Sequence, residues 1–242
     1  MADSVYLSGP AIRESVEWDY PRHSAVVRVT HWINTLSFVG LLVSGIAILL
    51  AHPRLYWGET GNVGTPSLID LPLPFVLKNQ SGWGRSLHFL SAWVGVINGL
   101  VYALSGFLTQ HFHRNLLPAK ADLAWGSVAR SVSSQLHWKR PGKEESPTYN
   151  VVQRLTYLVV VFGFFPLVIW TGLAMSPAIA SVFPALVNVL GGQQSARTMH
   201  FFVAGFLVLF LIVHIFMVCR AGFRNRVGTM ITGHTAAGKE HT

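Results

Sequence analysis

The stretch that decides the fold is Thr198–Cys219, TMHFFVAGFLVLFLIVHIFMVC, which holds no formally charged residue but carries two histidines, His200 and His214. A membrane-crossing helix needs roughly 20 predominantly apolar residues, so this segment is long enough to span. Histidine is costly inside a bilayer and usually marks function there. The spacing of fourteen residues gives roughly 21 Å of helical rise, and at about 100° per residue the two side chains fall within roughly 40° of one another. One face of one helix therefore presents two imidazoles, one towards each side of a membrane.

Three more segments read as spans: about Val29–Ala51, about Ser86–Thr109 and about Val152–Met175. Pro53 and Pro177 close the first and third, and Pro166 predicts a kink within the third, which membrane helices tolerate when neighbours satisfy the freed carbonyl. The fold class expected is all-α, an integral membrane four-helix bundle in which residues 1–242 form one domain. Composition agrees. The chain is 51% hydrophobic and 12% charged, against roughly 25% charged in soluble domains. Its formal charge of +8 needs no nucleic-acid partner, because basic residues gather in loops on one side of a membrane.

The single cysteine, Cys219, excludes an internal disulfide framework and any C-x-x-C-H site for covalently attached haem. It reads as a small apolar residue at a helix end rather than a lipidation site. The first 27 residues include Asp3, Glu14, Glu17 and Asp19, unlike a short cationic leader, so the first apolar run is expected to remain as a span.

Loop charge predicts the orientation. The N-terminal tail, the 110–151 loop and the C-terminal tail carry Arg13, Arg22, Arg28, Arg114, Lys120, Arg130, Lys139, Arg140, Lys143, Arg224 and Arg226. The 52–84 loop has only Arg54 and Lys78 before the second span, and the 176–196 loop has no lysine or arginine. Both termini are therefore expected in the cytoplasm. Ala124, Val128, Val132 and Leu136 recur every four residues, which suggests either a surface helix over 120–136 in contact with membrane lipid or a plain soluble helix. The Gly- and Pro-rich segment from His52 to Trp83, with Tyr56 and Trp57, reads as a connection or as a docking surface for a partner.

Of eleven histidines, His23, His52, His111, His113, His137, His234 and His241 fall outside these spans. The four inside are His31, His88, His200 and His214. With both termini on one side, His31 and His214 share the cytoplasmic depth, and His88 and His200 share the outer one. A haem takes one axial ligand on each face, so the expected metal ligands pair as His31 with His214 and His88 with His200. Such closed ligation suits electron transfer rather than oxygen chemistry. The third span contains no histidine and serves as packing or as a wall for quinone.

Arginine precedes three of these histidines by three residues: Arg28–His31, Arg85–His88 and Arg197–His200. That spacing keeps both side chains on adjoining parts of a helix face, where the guanidinium could pair with a haem propionate. Ordinary interfacial arginines at helix ends are the other reading. Gly40, Gly45, Gly95, Gly99, Gly106 and Gly205 could admit a flat porphyrin or simply allow close helix packing.

These features occur with RVTHW at 28–32, HFHRNLLP at 111–118, YNVVQ at 149–153, GGQQSARTMH at 191–200, HIFM at 214–217 and MITG at 230–233. Together they resemble the bacterial, nickel-hydrogenase type of cytochrome b561 over nearly the whole chain. The resemblance implies a cytochrome b subunit of a hydrogenase, formate dehydrogenase or thiosulfate reductase type of complex. It implies two non-covalent b haems on the four histidines, and quinone exchanging electrons near His31 and His214 in the bacterial inner membrane. Asn150 and Gln153, with Tyr149, could contact a quinone carbonyl or form a helix cap. The partner implied is an outer-face oxidoreductase of nickel–iron or molybdopterin type, the long 52–84 loop favouring the latter.

Two other classes compete with an electron carrier. A proton or metal-ion transporter could use the same histidines, although the spans lack Asp and Glu. A membrane anchor without cofactor is the third. No nucleophile, hydrolytic-metal or phosphate-loop pattern is present, so substrate chemistry within the chain is not expected.

Overall fold

A computed structural model describes residues 24–61, 64–73, 81–109 and 151–234. The surface helix expected at 120–136 and Asn150 lie outside the described residues, as does the side chain of Gln153.

Four helical spans, each long and apolar enough to cross a membrane, make this a multi-pass membrane protein. Helix α1 covers Ala25–Ala51 and α2 covers Ser81–Leu108. The third span is composite: α3 (Val151–Val159), a π-helical turn (Val160–Phe164) and α4 (Phe165–Ala174). Short helices α5 (Pro177–Val182) and α6 (Ala185–Asn188) lead into the fourth span, α7 (Gln193–Arg220), and α8 (Phe223–Thr232) follows it. Two-residue strands β1 (Arg54–Leu55) and β2 (Ile69–Asp70) pair antiparallel between α1 and α2, with Arg54 opposite Asp70.

The spans at α1, α2 and α7 begin four or five residues earlier than hydropathy alone suggests. Gln193, Gln194 and Ser195 are polar but helical, because the first turn of a helix sits in the interface, where hydropathy carries no signal. Ser24 caps α1, its hydroxyl accepting from the Val27 amide at 3.4 Å. At Pro166, where a kink is expected, the third span departs from α geometry. Proline offers no N–H to the preceding turn, and the chain answers with the π-turn just before it, where the Phe165 amide donates to the Val160 carbonyl.

Packing follows small residues rather than large ones. Lipid gives two helices no hydrophobic reason to associate, so close approach of backbones and buried hydrogen bonds must hold them. Helix α1 buries Thr30, Ser37 and Ser44, and α2 buries Gly84, Ser91 and Asn98. Both sets fall seven apart, a period that holds one seam of each helix against its neighbour. Asn98 stitches the seam, its amide donating to the Thr30 carbonyl and to Asn34 Oδ1, each at 2.8 Å. A Cβ at Gly40 would collide with the Ser91 side chain. Outward-facing leucines and aromatics complete the pattern: Leu36 is 74% and Phe107 67% exposed, as lipid-facing positions should be.

Helix α4 packs on α7, over a small core of Ala174, Val187, Leu190 and Ala196. Trp170 Nε1 donates to the Leu186 carbonyl at 3.1 Å and fixes α6 against α4. At the opposite end of the bundle, α8 returns to the start of α1. Arg28 Nη1 donates to the Ile231 carbonyl at 2.8 Å and Trp32 Nε1 to the Met230 carbonyl at 3.2 Å. Those carbonyls belong to the last turn of α8, where a helix leaves its acceptors unused.

Replacing Gly40 by isoleucine should destabilise the α1–α2 pair by about 1–3 kcal/mol, the usual cost of overpacking. Thermal unfolding in detergent should show the loss, and Gly82→Ala, where a Cβ meets open space, should leave the midpoint unchanged.

Candidate functional site

Two of the four intramembrane histidines meet directly. His88, near the start of α2, and His200, near the start of α7, face one another with ring centroids 6.2 Å apart and planes inclined at 63°. Each ring is held from behind by a hydroxyl on the preceding span. Ser44 Oγ lies 3.0 Å from His88 Nδ1, and Thr171 Oγ1 lies 3.0 Å from His200 Nδ1. Both hydroxyl residues are fully buried. The residue after each is glycine, and both glycines lie against the imidazoles: a Cβ at Gly45 would stand 3.8 Å from His88 Cε1, and one at Gly172 3.5 Å from His200 Cε1. With Nδ1 engaged, Nε2 is the nitrogen each ring has left to offer.

The loop end of the bundle locks this geometry. Gly191 and Gly192 take φ of 77° and 113°, a region open to glycine, and turn the chain into α7. The first amides of that helix would otherwise lack acceptors; those of Gln194 and Ser195 donate to the Gly58 carbonyl at 3.0 and 3.3 Å. Ser195 Oγ accepts from the Gly58 amide at 2.8 Å. Thr198 Oγ1 donates to the Tyr56 carbonyl, and Arg197 Nη2 to the His52 carbonyl, both at 2.6 Å. The GGQQSART segment is therefore the clamp between the α1–α2 connection and the helix that carries His200. Beside it the exposed Arg54 pairs with Asp70 at 3.1 Å, and that carboxylate holds the guanidinium above its ordinary value.

The other two histidines lie towards the α8 end. His31 sits between Arg28 and Trp32, the two residues tied to α8, and meets the Trp32 ring edge-on at 5.4 Å. His214 stacks on Phe210 at 5.8 Å and 27°, and Phe210 meets Tyr157 of α3 edge-on at 6.1 Å. Among the expected arginines, Arg197 is half-buried and anchored on the 52–58 segment, Arg85 is exposed near the start of α2, and Arg28 is half-buried. Arg28 Nε is buried without a hydrogen-bond partner among the described residues.

Ser44, Thr171 and Gly172 lie against the two rings, and the histidine pattern alone does not reveal them. A signal was available: Ser44–Gly45 and Thr171–Gly172 stand at the same place in the first and third spans, at the depth of the histidine opening the next. The third span, expected as packing or a quinone wall, holds the ring of His200.

A model of the prokaryotic cytochrome b561 family matches residues 22–233. The chain belongs to that family. It is accordingly a membrane electron-transfer cytochrome that binds b-type haem. It is 29% identical to a putative protein-methionine-sulfoxide reductase subunit, YedZ1, of Azospira oryzae, the match covering 89% of this chain and 98% of that one. It is 26% identical to a probable Ni/Fe-hydrogenase B-type cytochrome subunit of Cupriavidus necator, over 96% of this chain and 91% of the relative. A protein of the same description from Rhodobacter capsulatus is 25% identical over 94% and 87%. No solved structure gave a significant match.

The residues of this cytochrome fit the group its family binds. Metal–imidazole bonds are about 2 Å long, so two rings on one ion, with their half-widths added, have centres about 6 Å apart. The His88–His200 separation of 6.2 Å meets that requirement. Among the described residues no three His, Cys, Asp or Glu side chains converge, too few for a bare metal ion. A haem brings its own in-plane nitrogens and asks the protein for axial ligands only.

Gly192→Ala forces a Cβ into the Gly58 backbone at a φ of 113°. It should lower stability by about 1–3 kcal/mol, the scale of enforced backbone strain, and speed amide hydrogen exchange at Gly58, read by mass spectrometry.

Proposed function

We propose that this cytochrome is a di-haem wire across the bacterial inner membrane, connecting an oxidoreductase on the outer face with quinone on the cytoplasmic side. His88 and His200 ligate the outer haem, and His31 and His214 the inner one. The observation that carries the reading is the 6.2 Å opposition of His88 and His200 with both Nδ1 atoms already engaged. Metal-ligating histidines characteristically commit their second ring nitrogen in this way. The inner pair is supported by depth: His31 lies beside the attachment of α8, which itself follows the span containing His214.

When bound, a b haem supplies a one-electron carrier. The protein's own residues do the rest. His88 and His200 would together hold the iron, and a site closed in that way would carry electrons rather than bind dioxygen or substrate. Packing of α1 on α2 and of α4 on α7 keeps both rings in place, and the apolar spans exclude water from them. Arg28, with a buried Nε, would supply a cationic partner for a haem propionate at the inner site, and Arg197 and Arg85 stand at the depth to do so at the outer one. Asn150 and Gln153, at the cytoplasmic entrance of the third span, are proposed as quinone contacts.

Loop charge supports placing both termini in the cytoplasm, which puts the β1–β2 hairpin and α5–α6 on the outer face. Relatives are named as subunits of a methionine-sulfoxide reductase and of Ni/Fe hydrogenases. The partner is accordingly an outer-face oxidoreductase subunit of molybdopterin or nickel–iron type, which holds the substrate chemistry.

Substituting alanine for His200 should remove the outer haem and halve the haem-to-protein ratio, while His214→Ala should remove the inner one. Reduced-minus-oxidised spectra of the purified chain measure both. An unchanged ratio in both variants sinks the assignment.

A further inference from the structure

We infer that Ser44 and Thr171 are positioning residues that set the redox potential of the outer haem by hydrogen-bonding the far nitrogen of each axial histidine. The inference rests on His88 and His200 being the ligands of that haem, as proposed above.

The direction of the two hydrogen bonds follows from proton inventory. A serine or threonine hydroxyl has one proton and two lone pairs. Ser44 Oγ gives its proton to the Gly40 carbonyl at 2.6 Å, and Thr171 Oγ1 gives its proton to the Leu167 carbonyl at 2.8 Å. With its own proton on a carbonyl, each hydroxyl turns a lone pair to the imidazole 3.0 Å away, so the proton between them belongs to Nδ1, which the carbonyls of Leu41 and Val168 also attract. Both histidines are thereby fixed as the Nδ1–H tautomer, with the Nε2 lone pair free.

The same bond has an electronic consequence. An Nδ1–H that donates to oxygen loses some of its hold on the proton, and the imidazole becomes a more basic ligand. A more basic axial ligand stabilises the ferric state over the ferrous and lowers the potential. Two such bonds, one on each side of a single iron, act in the same direction. Burial strengthens them, because Ser44 and Thr171 are both 0% exposed and no water competes for the proton. The arrangement is duplicated as a unit. In each half of the bundle a hydroxyl and the following glycine, on one span, seat the ring of a histidine on the next, with Gly45 and Gly172 leaving the space each ring occupies.

The test uses the full chain, purified with haem bound, and a potentiometric titration followed by absorbance; the outer haem is the one that His200→Ala removes. Ser44→Ala and Thr171→Val delete a hydroxyl each, and Thr171→Val does so at nearly constant shape. The expected result is a positive shift of the outer midpoint potential in each variant, a larger one in the double variant, and an unmoved inner potential. Thr171→Ser, which keeps the hydroxyl and discards the methyl, should titrate as the wild type does. Full haem content with an unmoved outer potential in both deletion variants would overturn the proposal. If Thr171→Val loses the outer haem, retention of that haem in Thr171→Ser supports the role of the hydroxyl, and loss in both overturns it in favour of packing. A full haem complement in His200→Ala would instead overturn the ligand assignment, independently of either hydroxyl.

Discussion

The meeting of His88 and His200 between two helix pairs constrains the rest of the molecule. Two imidazoles cannot be brought to 6.2 Å by side-chain choice alone; α2 and α7 must present them at the same depth and from opposite directions. Neither helix is anchored by a hydrophobic driving force, since lipid solvates an apolar surface as well as another helix does. The position of each ring therefore depends on the span packed behind it. Helix α1 steadies His88 through Ser44, and the third span steadies His200 through Thr171.

That dependence explains why the interior is built from small and hydroxylated residues. Thr30, Ser44, Thr171 and Ser195 are all buried, an unusual set for a core, and each hydroxyl donates to a carbonyl one turn back. Side chains that return their proton to a carbonyl one turn back carry little unsatisfied polarity, so they can line a helix contact within a bilayer. They also keep an acceptor lone pair, which a leucine or alanine would not supply. Close packing and the orientation of the rings thus draw on the same residues, Ser44 and Thr171.

Coupling to the loop between α1 and α2 is a second consequence. The Gly58 carbonyl accepts the first free amides of α7, and Arg197 and Thr198 reach back to His52 and Tyr56. The loop between α1 and α2 is thereby fastened to the helix that bears His200, a short distance from the ring itself. A partner seated on that loop would touch a surface continuous with the helix that bears His200. The far end of the bundle is fastened differently, by Arg28 and Trp32 closing the last turn of α8.

Much of this was legible in the chain alone. Runs of apolar residues determine four spans, because backbone groups in a bilayer must be satisfied within the helix and length then follows from membrane thickness. The fourteen-residue spacing of His200 and His214 determines that one helix presents two imidazoles on one face, and Pro166 marks the place where the third span departs from α geometry. The tertiary structure decided which groups stand behind the imidazoles. Only the glycine that follows each, at matching places in the first and third spans, sets Ser44 and Thr171 apart from other hydroxyls in apolar runs; their partners lie 44 and 29 residues away, and the packing of one span on the next brings them to the rings. The same holds for Gly192, whose missing side chain is explained by a carbonyl of the preceding loop. Local sequence sets helix length and face, whereas contacts between helices are set by how surfaces of several elements close on one another, and that information is not carried by any one segment.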